Sequence, residues 1–192
     1  MQQILVKLFL SAFIIVCLAS SLPIINQGEP KEYCPSYLQG DTTIPCWSLG
    51  SKCFCFSNND VIDKVYNWTQ ADEICKAANM TLLSIETEQK DLLIHSQRET
   101  HPELAEYPYT YWTSGSYSQT GYKRWEWATN EPFQPFEYTN WITGQPSDYN
   151  PPNNQPGHCV QLSFYRDYAN GYWYPISCSS ASYQRFICES LD

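Results

Sequence analysis

The residues of this 192-residue chain that can do chemistry fall into two sets, its cysteines and a polar, ring-bearing loop. Nine cysteines occur, and Cys17 sits apart in an amino-terminal apolar run. The other eight are Cys34, Cys46, Cys53, Cys55, Cys75, Cys159, Cys178 and Cys188. An even set in an oxidising compartment reads as disulfides. Zinc is a poor reading. The sequence has no Cys-x-x-Cys, and His95, His101 and His158 stand off zinc-finger spacing from any cysteine pair. The loop is 143–157, TGQPSDYNPPNNQPG, with four prolines and no hydrophobic period. So long a loop in a compact domain is functional or disordered. Gln145, Asp148, Asn153, Asn154 and the adjacent His158 can hydrogen-bond hydroxyls. The faces of Tyr149, Tyr172, Trp173 and Tyr174 can stack on an apolar surface. For Trp141 and Trp173 the competing reading is core burial, the usual fate of large aromatics. Tyr149 is the better surface ring. For His158, a metal ligand or pH-sensitive contact competes with a solvated loop histidine, which is preferred.

Enzyme chemistry finds no support. There is no His-Glu-x-x-His, no Gly-x-Ser-x-Gly and no phosphate-cradling glycine loop. Bridged cysteines leave no thiolate nucleophile. The Asp72–Glu73 pair is explained by helix-end electrostatics. The acidic positions Glu86, Glu88 and Asp91 read as a solvated helix face.

The elements that must position these residues begin after a leader. Residues 8–18, LFLSAFIIVCL, follow Lys7 and precede Ala19, Ser20 and Ser21. This is the charged, apolar and small-residue order of a secretory signal, and it is short for a membrane span. Residues 1–21 are therefore read as a signal peptide, cut after Ala19 or Ser21, with an uncleaved anchor as the competing reading. The expected location is extracellular. The formal net charge of −9 argues against nucleic acid and anionic lipid, which need a basic face. Apolar content of 43% excludes a disordered chain, and 7 Trp with 15 Tyr make it unusually aromatic.

Residues 22–52 are rich in Pro, Gly and polar types and are read as an irregular segment stapled to the domain at 53–192. CFCFS at 53–57 alternates as a strand, with Cys53 and Cys55 on one face and Phe54 and Phe56 on the other. Ala71, Ile74, Cys75 and Ala78 form a helical stripe, with Thr69 as the expected N-cap. Leu82, Leu83 and Ile85 make a short apolar run. A second helix is expected from Thr87 to about Gln97, with Leu92 and Leu93 facing inward. Beyond residue 100, short strands separated by long loops are expected, closing on YQRFIC at 183–188. Helices followed by strands give an α+β class. Two sequons, Asn67-Trp68-Thr69 and Asn79-Met80-Thr81, are candidate glycosylation sites. Asn79 is expected to be the more exposed; the competing role for Asn67 is helix entry.

The ordered set W68-TQADEIC75, LLSIETEQ at 82–89, YWTSGS at 111–116, YTNW141-ITGQP146, GHCV at 157–160, GYW173 and RFICE at 185–189 resembles the C-type lectin-like domain. The YWTSGS and YTNW variants look most like secreted arthropod lectins. The resemblance implies two helices, two small antiparallel sheets and a long loop region. It also implies bridges Cys75–Cys188 and Cys159–Cys178, worth about 4.7 and about 3 kcal/mol on the chain-entropy estimate. Cys53 and Cys55, on one strand face, are unlikely to bond each other. That leaves Cys34–Cys53 with Cys46–Cys55, or Cys34–Cys55 with Cys46–Cys53. An intermolecular bridge, and with it an oligomer, stays open.

Lectins of this family hold sugar through calcium. The family's ligands are a Glu-Pro-Asn or Gln-Pro-Asp triplet, a glutamate two residues before the loop cysteine, and an Asn-Asp pair after a tryptophan. Here the matched positions read Gln145-Pro146-Ser147, Gly157 and Tyr174-Pro175. Aligning Asn153 and Asn154 on the triplet instead also loses its acid. Asp148 is the only carboxylate in 142–158, which leaves Gln145 and Asp148 as weak metal candidates and calcium doubtful. The expectation is a non-enzymatic, secreted glycan-binding protein for microbial recognition or adhesion, without the usual ion. Its candidate contacts are Gln145, Ser147, Asp148, Tyr149, Asn153, Asn154, His158 and Trp173. The alternative is a lectin-like domain that binds a protein partner.

Overall fold

The computed structural model describes residues 34, 45–57, 66–105, 110–118, 123–129, 132–146, 158–164, 173–180 and 185–191. The chain runs β1 (Cys46–Leu49), β2 (Lys52–Phe56), α1 (Trp68–Ala77), β3 (Met80–Leu82), α2 (Glu88–Thr100) and a 3₁₀ turn (Pro102–Ala105). It continues β4 (Thr110–Tyr117), β5 (Trp125–Trp127), β6 (Gln134–Pro135), β7 (His158–Ser163), β8 (Trp173–Ser177) and β9 (Arg185–Ser190). Two helices beside largely antiparallel strands give the expected α+β class.

The alternation at 53–56 separates two cores. Phe54 and Phe56 join one apolar cluster with Ile94, Tyr111 and Trp173. Cys53 and Cys55 join another with Cys75, Leu82, Trp112 and Cys188. The segment before residue 53, expected to be irregular, contains a strand: β1 pairs antiparallel with β2, Cys46 opposite Cys55. Gly50 closes that hairpin at φ +62, a region glycine enters without a Cβ clash.

β9 lies at the centre. It pairs antiparallel with β2 and β3 and parallel with β4, Tyr111 opposite Arg185 and Trp112 opposite Phe186. β4 carries the second ladder, with β5 paired over Gly115–Tyr117, β7 paired over Thr110–Trp112 and again at Ser116, and β8 beyond β7. The two expected small sheets are thus two ladders sharing β9, with one parallel pairing between them. A buried strand must place its backbone donors and acceptors on neighbours, and β9 does so along both edges.

The helix ends differ from expectation in instructive ways. Asn67, not Thr69, caps α1: its side chain accepts from Gln70 N at 2.9 Å, and Gln70 answers the Asn67 N–H at 3.0 Å. This reciprocal box satisfies two donors that the helix leaves open. Asn79 follows the helix in the left-handed region, φ 55, and is exposed. Asn67 is half-buried. Thr87, expected as the first residue of the second helix, is its N-cap, accepting from Lys90 N, and the helix runs on to Thr100. Of the two leucines expected to face inward from α2, Leu93 is half-buried and Leu92 is not. Leu92 is 61% exposed, whereas Ile94 and Asp91 are buried. The helix is turned so that positions 91, 94 and 95 face the domain, because Asp91 has buried partners there.

The bridges are Cys75–Cys188, Cys159–Cys178, Cys34–Cys53 and Cys46–Cys55. The first ties α1 to β9, and the second closes the span between β7 and the end of β8. Of the two open arrangements for the amino-terminal four, the structure has the one that matches the β1–β2 register.

Candidate functional site

The described part of the loop region runs from β6 to Pro146 and docks on the start of β8. Trp173 N donates to Asn140 O at 2.8 Å, and Ile142 N donates to Trp173 O at 3.1 Å. Trp141 and Trp173 thereby form an isolated parallel bridge. The chain then turns. Gln145 N donates to Ile142 O at 2.9 Å, and Gly144, at φ +85, takes the position where a type II turn needs positive φ. Gln145 comes next, joined to Pro146 by a cis bond.

A row of aromatic rings lies on this framework. Trp125 meets Trp141 at 4.9 Å between centroids, Tyr117 at 5.4 Å and Phe136 at 6.2 Å. All four are half-buried, so each keeps part of its surface to solvent. Behind them Phe136 stacks on the buried Trp127 at 4.1 Å. Phe136 also lies over Gly115 so closely that a Cβ there would meet its ring at 3.0 Å. Tyr174, 41% exposed, stands one residue along from Trp173.

Trp173 is fully buried, at 0% exposure. Trp127, Phe136, Tyr138 and Trp141 surround its ring at 5.4 to 5.7 Å. This corrects its candidacy as a stacking surface: the ring is the packing centre of the loop region, and no face is left for a ligand. Trp141, by contrast, is on the rim. Sequence reading singled out neither Tyr117, Trp125 nor Phe136. The signal was present in Trp125-Glu126-Trp127, where two tryptophans two apart share one strand face, but nothing in sequence says which of them the edge leaves uncovered.

His158 opens β7 opposite Ser177 and is 7% exposed, not a solvated loop residue. Burial alone pushes its imidazole below the ordinary histidine value. The fold therefore holds the ring neutral, while the unfolded chain takes up a proton below about pH 6.5. Stability should fall as pH drops from about 6.5 through the lowered value. Urea midpoints at pH 7 and 5.5 test this: His158→Gln should flatten that part of the profile, and an unchanged slope would count against it. Ser147, Asp148, Tyr149, Asn153 and Asn154 lie outside the described residues, as do Gly157 and Tyr172.

Of the acids expected on a solvated face, Glu86 and Glu88 are exposed and Asp91 is buried, and two polar clusters gather about α2. Asp91, 2% exposed, accepts from the Tyr138 hydroxyl at 2.8 Å and Asn140 Nδ2 at 2.7 Å. Its other oxygen faces His95 Nδ1 at 3.2 Å. Because Nδ1 also meets the Asp91 carbonyl at 2.8 Å, both neighbours are acceptors and Nδ1 carries the proton. Tyr138 is pushed well above an ordinary phenol by burial and by this carboxylate. In the second cluster Lys90 Nζ lies 2.5 Å from Glu189 Oε2 and 2.9 Å from Glu86 Oε2. Ser84 Oγ donates to Glu189 at 2.7 Å and also bonds Glu86.

Residues 64–190 match the family described as the lectin C-type domain. A salivary C-type lectin 2 of the mosquito Aedes albopictus is 31% identical over 139 residues, 71% of this chain and 82% of that protein.

The chain belongs to the C-type lectin family.

Solved structures of the family share the fold. The mouse scavenger receptor C-type lectin carbohydrate-recognition domain aligns with a TM-score of 0.57 at 22% identity, covering 82% of this chain and 97% of that one. A calcium-independent type II antifreeze protein aligns with a TM-score of 0.54 at 18% identity, covering 83% and 95%. The family is one of binding proteins, in keeping with the non-enzymatic reading. In this lectin domain the loop docked on β8 is the segment that the sequence resemblance assigned to ligand binding. Among the described residues no helix is long and apolar enough to cross a membrane.

Proposed function

We propose that this C-type lectin domain is a secreted glycan-binding module whose sugar contacts are aromatic faces and amides rather than a calcium ion. The observation that carries the reading is the half-exposed row Tyr117–Trp125–Trp141, held one turn from Gln145. Aromatic faces pair with the C–H face of a pyranose while a neighbouring amide takes its hydroxyls. The donor chemistry supports the calcium-free part. Calcium takes six to eight oxygens, several of them carboxylate. At the matched side-chain positions stand Gln145, Ser147, Gly157, Tyr174 and Pro175. Tyr174 lies opposite Gln161 and Pro175 opposite Val160 in the β7–β8 ladder. One amide, one hydroxyl and one phenol, none of them charged, do not fit a hard divalent cation. The amino-terminal leader and a salivary lectin relative support secretion.

A glycan array of the intact protein, run with calcium and with chelator, tests this. The expected result is binding indifferent to chelation and weakened about tenfold or more by Trp141→Ala, with calcium binding weaker than about 10⁻⁴ M. Binding abolished by chelator would overturn the aromatic mechanism. No binding to any glycan would overturn the sugar reading and point to a protein ligand, for which exposed aromatic rings are equally suited.

A further inference from the structure

The loop that bears Trp141 and Gln145 is fastened to the domain at two places. One is the backbone bridge to Trp173 described above. The other is a side-chain latch from α2. Asp91 is buried on that helix, and a single oxygen of it receives the Tyr138 hydroxyl and the Asn140 amide, two residues apart in the loop. Its second oxygen lies 3.2 Å from His95 Nδ1, one helical turn further on, and takes no hydrogen bond among the described residues. His95 is packed edge-on against Phe164, just past β7, at 5.2 Å. Asn140 belongs to both fastenings: its side chain goes to Asp91, and its carbonyl takes the Trp173 N–H.

We propose that Asp91 is a positioning residue of the binding loop, setting the placement of Trp141 and Gln145 without touching ligand. The inference rests on the reading of this loop as the glycan site. A carboxylate suits the task because it accepts several charge-assisted hydrogen bonds in one plane, each stronger than a neutral one. Its burial keeps those bonds from exchanging with water. The loop between Phe136 and Pro146 has no regular ladder of its own beyond the single bridge at Trp141, so side-chain fastening must supply what strand pairing does not. The amphipathic pattern of α2 makes sense on the same terms. The helix leaves Leu92 in solvent and turns an acid inward because the inward acid has two loop donors to meet.

Hydrogen exchange of the intact protein decides the matter without any ligand. Peptides covering 136–146 and 54–57 with 185–190 are compared in the unaltered protein, Tyr138→Phe, Asp91→Asn and Asp91→Ala. Loss of a hydrogen bond to a charged group is expected to speed local opening by about tenfold to a hundredfold. That acceleration should appear in 136–146 for Tyr138→Phe and be larger for Asp91→Ala. Asp91→Asn keeps one acceptor oxygen and should fall between. The β2–β9 peptides should keep their protection. Equal acceleration in both regions would make Asp91 a general stability residue. No acceleration in 136–146 would show that the bridge at Trp173 holds the loop alone. Either result overturns the proposal. Retention on N-acetylglucosamine-agarose and mannan-agarose gives the second readout, with Asp91→Ala expected to lose at least tenfold in affinity for whichever resin holds the unaltered protein and Asp91→Asn to recover part. If neither resin holds the unaltered protein, the glycan reading fails, while the exchange result still decides the latch.

Discussion

Replacing Trp173 by alanine is expected to cost about 3–5 kcal/mol of stability, the usual toll for emptying an aromatic site in a packed core. That is a large part of the 5–15 kcal/mol that holds an ordinary domain folded. The ring is fully buried and meets four other aromatic rings edge-on. Edge-to-face pairs each add about 0.5–1.5 kcal/mol beyond area burial. A guanidinium titration reads the effect as a lower midpoint. Trp173→Phe should cost less, since it keeps an apolar ring in place. A sugar-stacking residue would behave otherwise: its alanine variant would keep the midpoint and lose only binding. A midpoint shift worth less than about 1 kcal/mol would remove Trp173 from the core.

Lys90→Met should be as costly, about 3–5 kcal/mol at pH 7, and its cost should depend on pH. The ammonium joins Glu86 and Glu189, carried on different parts of the chain, and Glu189 is only 3% exposed. Removing one partner of a buried pair strands the remaining charge, which is the expensive outcome. Burial pushes Glu189 above the ordinary carboxylate range, while Lys90 and Ser84 pull it back without cancelling the effect. Glu86 feels burial too, but Lys90 and the Ser84 hydroxyl outweigh it and hold its carboxyl below the usual value. The signs of the two differ. Glu86 contributes stability above its unfolded pKa, lost as pH falls through the lowered folded value. A carboxyl with a raised folded value does the reverse, since folding then favours its protonated form. Without Lys90 the second behaviour dominates, so the deficit of Lys90→Met should shrink between pH 7 and 4. The double variant Lys90→Met/Glu189→Gln should be more stable at pH 7 than Lys90→Met alone, because the stranded charge is gone. A deficit that does not change with pH would show that the methylene stem, not the ammonium, matters at this position.

The two α2 clusters show where sequence reading stops. Asp91 looked like part of the solvated face that Glu86 and Glu88 do form, because acids at helical spacing are usually that. Its partners Tyr138 and Asn140 lie 47 and 49 residues away, and Glu189, which meets Lys90 and Ser84, lies 105 residues from Ser84. No local pattern encodes a meeting of that range. Local signals fared better. The alternation of Cys53, Phe54, Cys55 and Phe56 placed two residue types in two cores, and Thr87 capped the helix it preceded. The first helix began two residues earlier than expected because Asn67 and Gln70 satisfy each other's backbone donors, a pairing that outcompetes Thr69.

By itself the sequence determined the α+β class, the family, the aromatic and amide character of the loop region, and the spacing of the cysteines. The family comes from the resemblance of an ordered set of motifs, and the rest from composition and short-range order, where propensity and periodicity act. Tertiary structure alone decided that Trp173 is core and Trp141 rim, that His158 is buried, and that Cys34 joins Cys53 rather than Cys55. It also decided that β9 serves both ladders and that Asp91 reaches into the loop. Exposure, register and buried polar contacts depend on which distant segments come together, and the packing of the whole chain sets that.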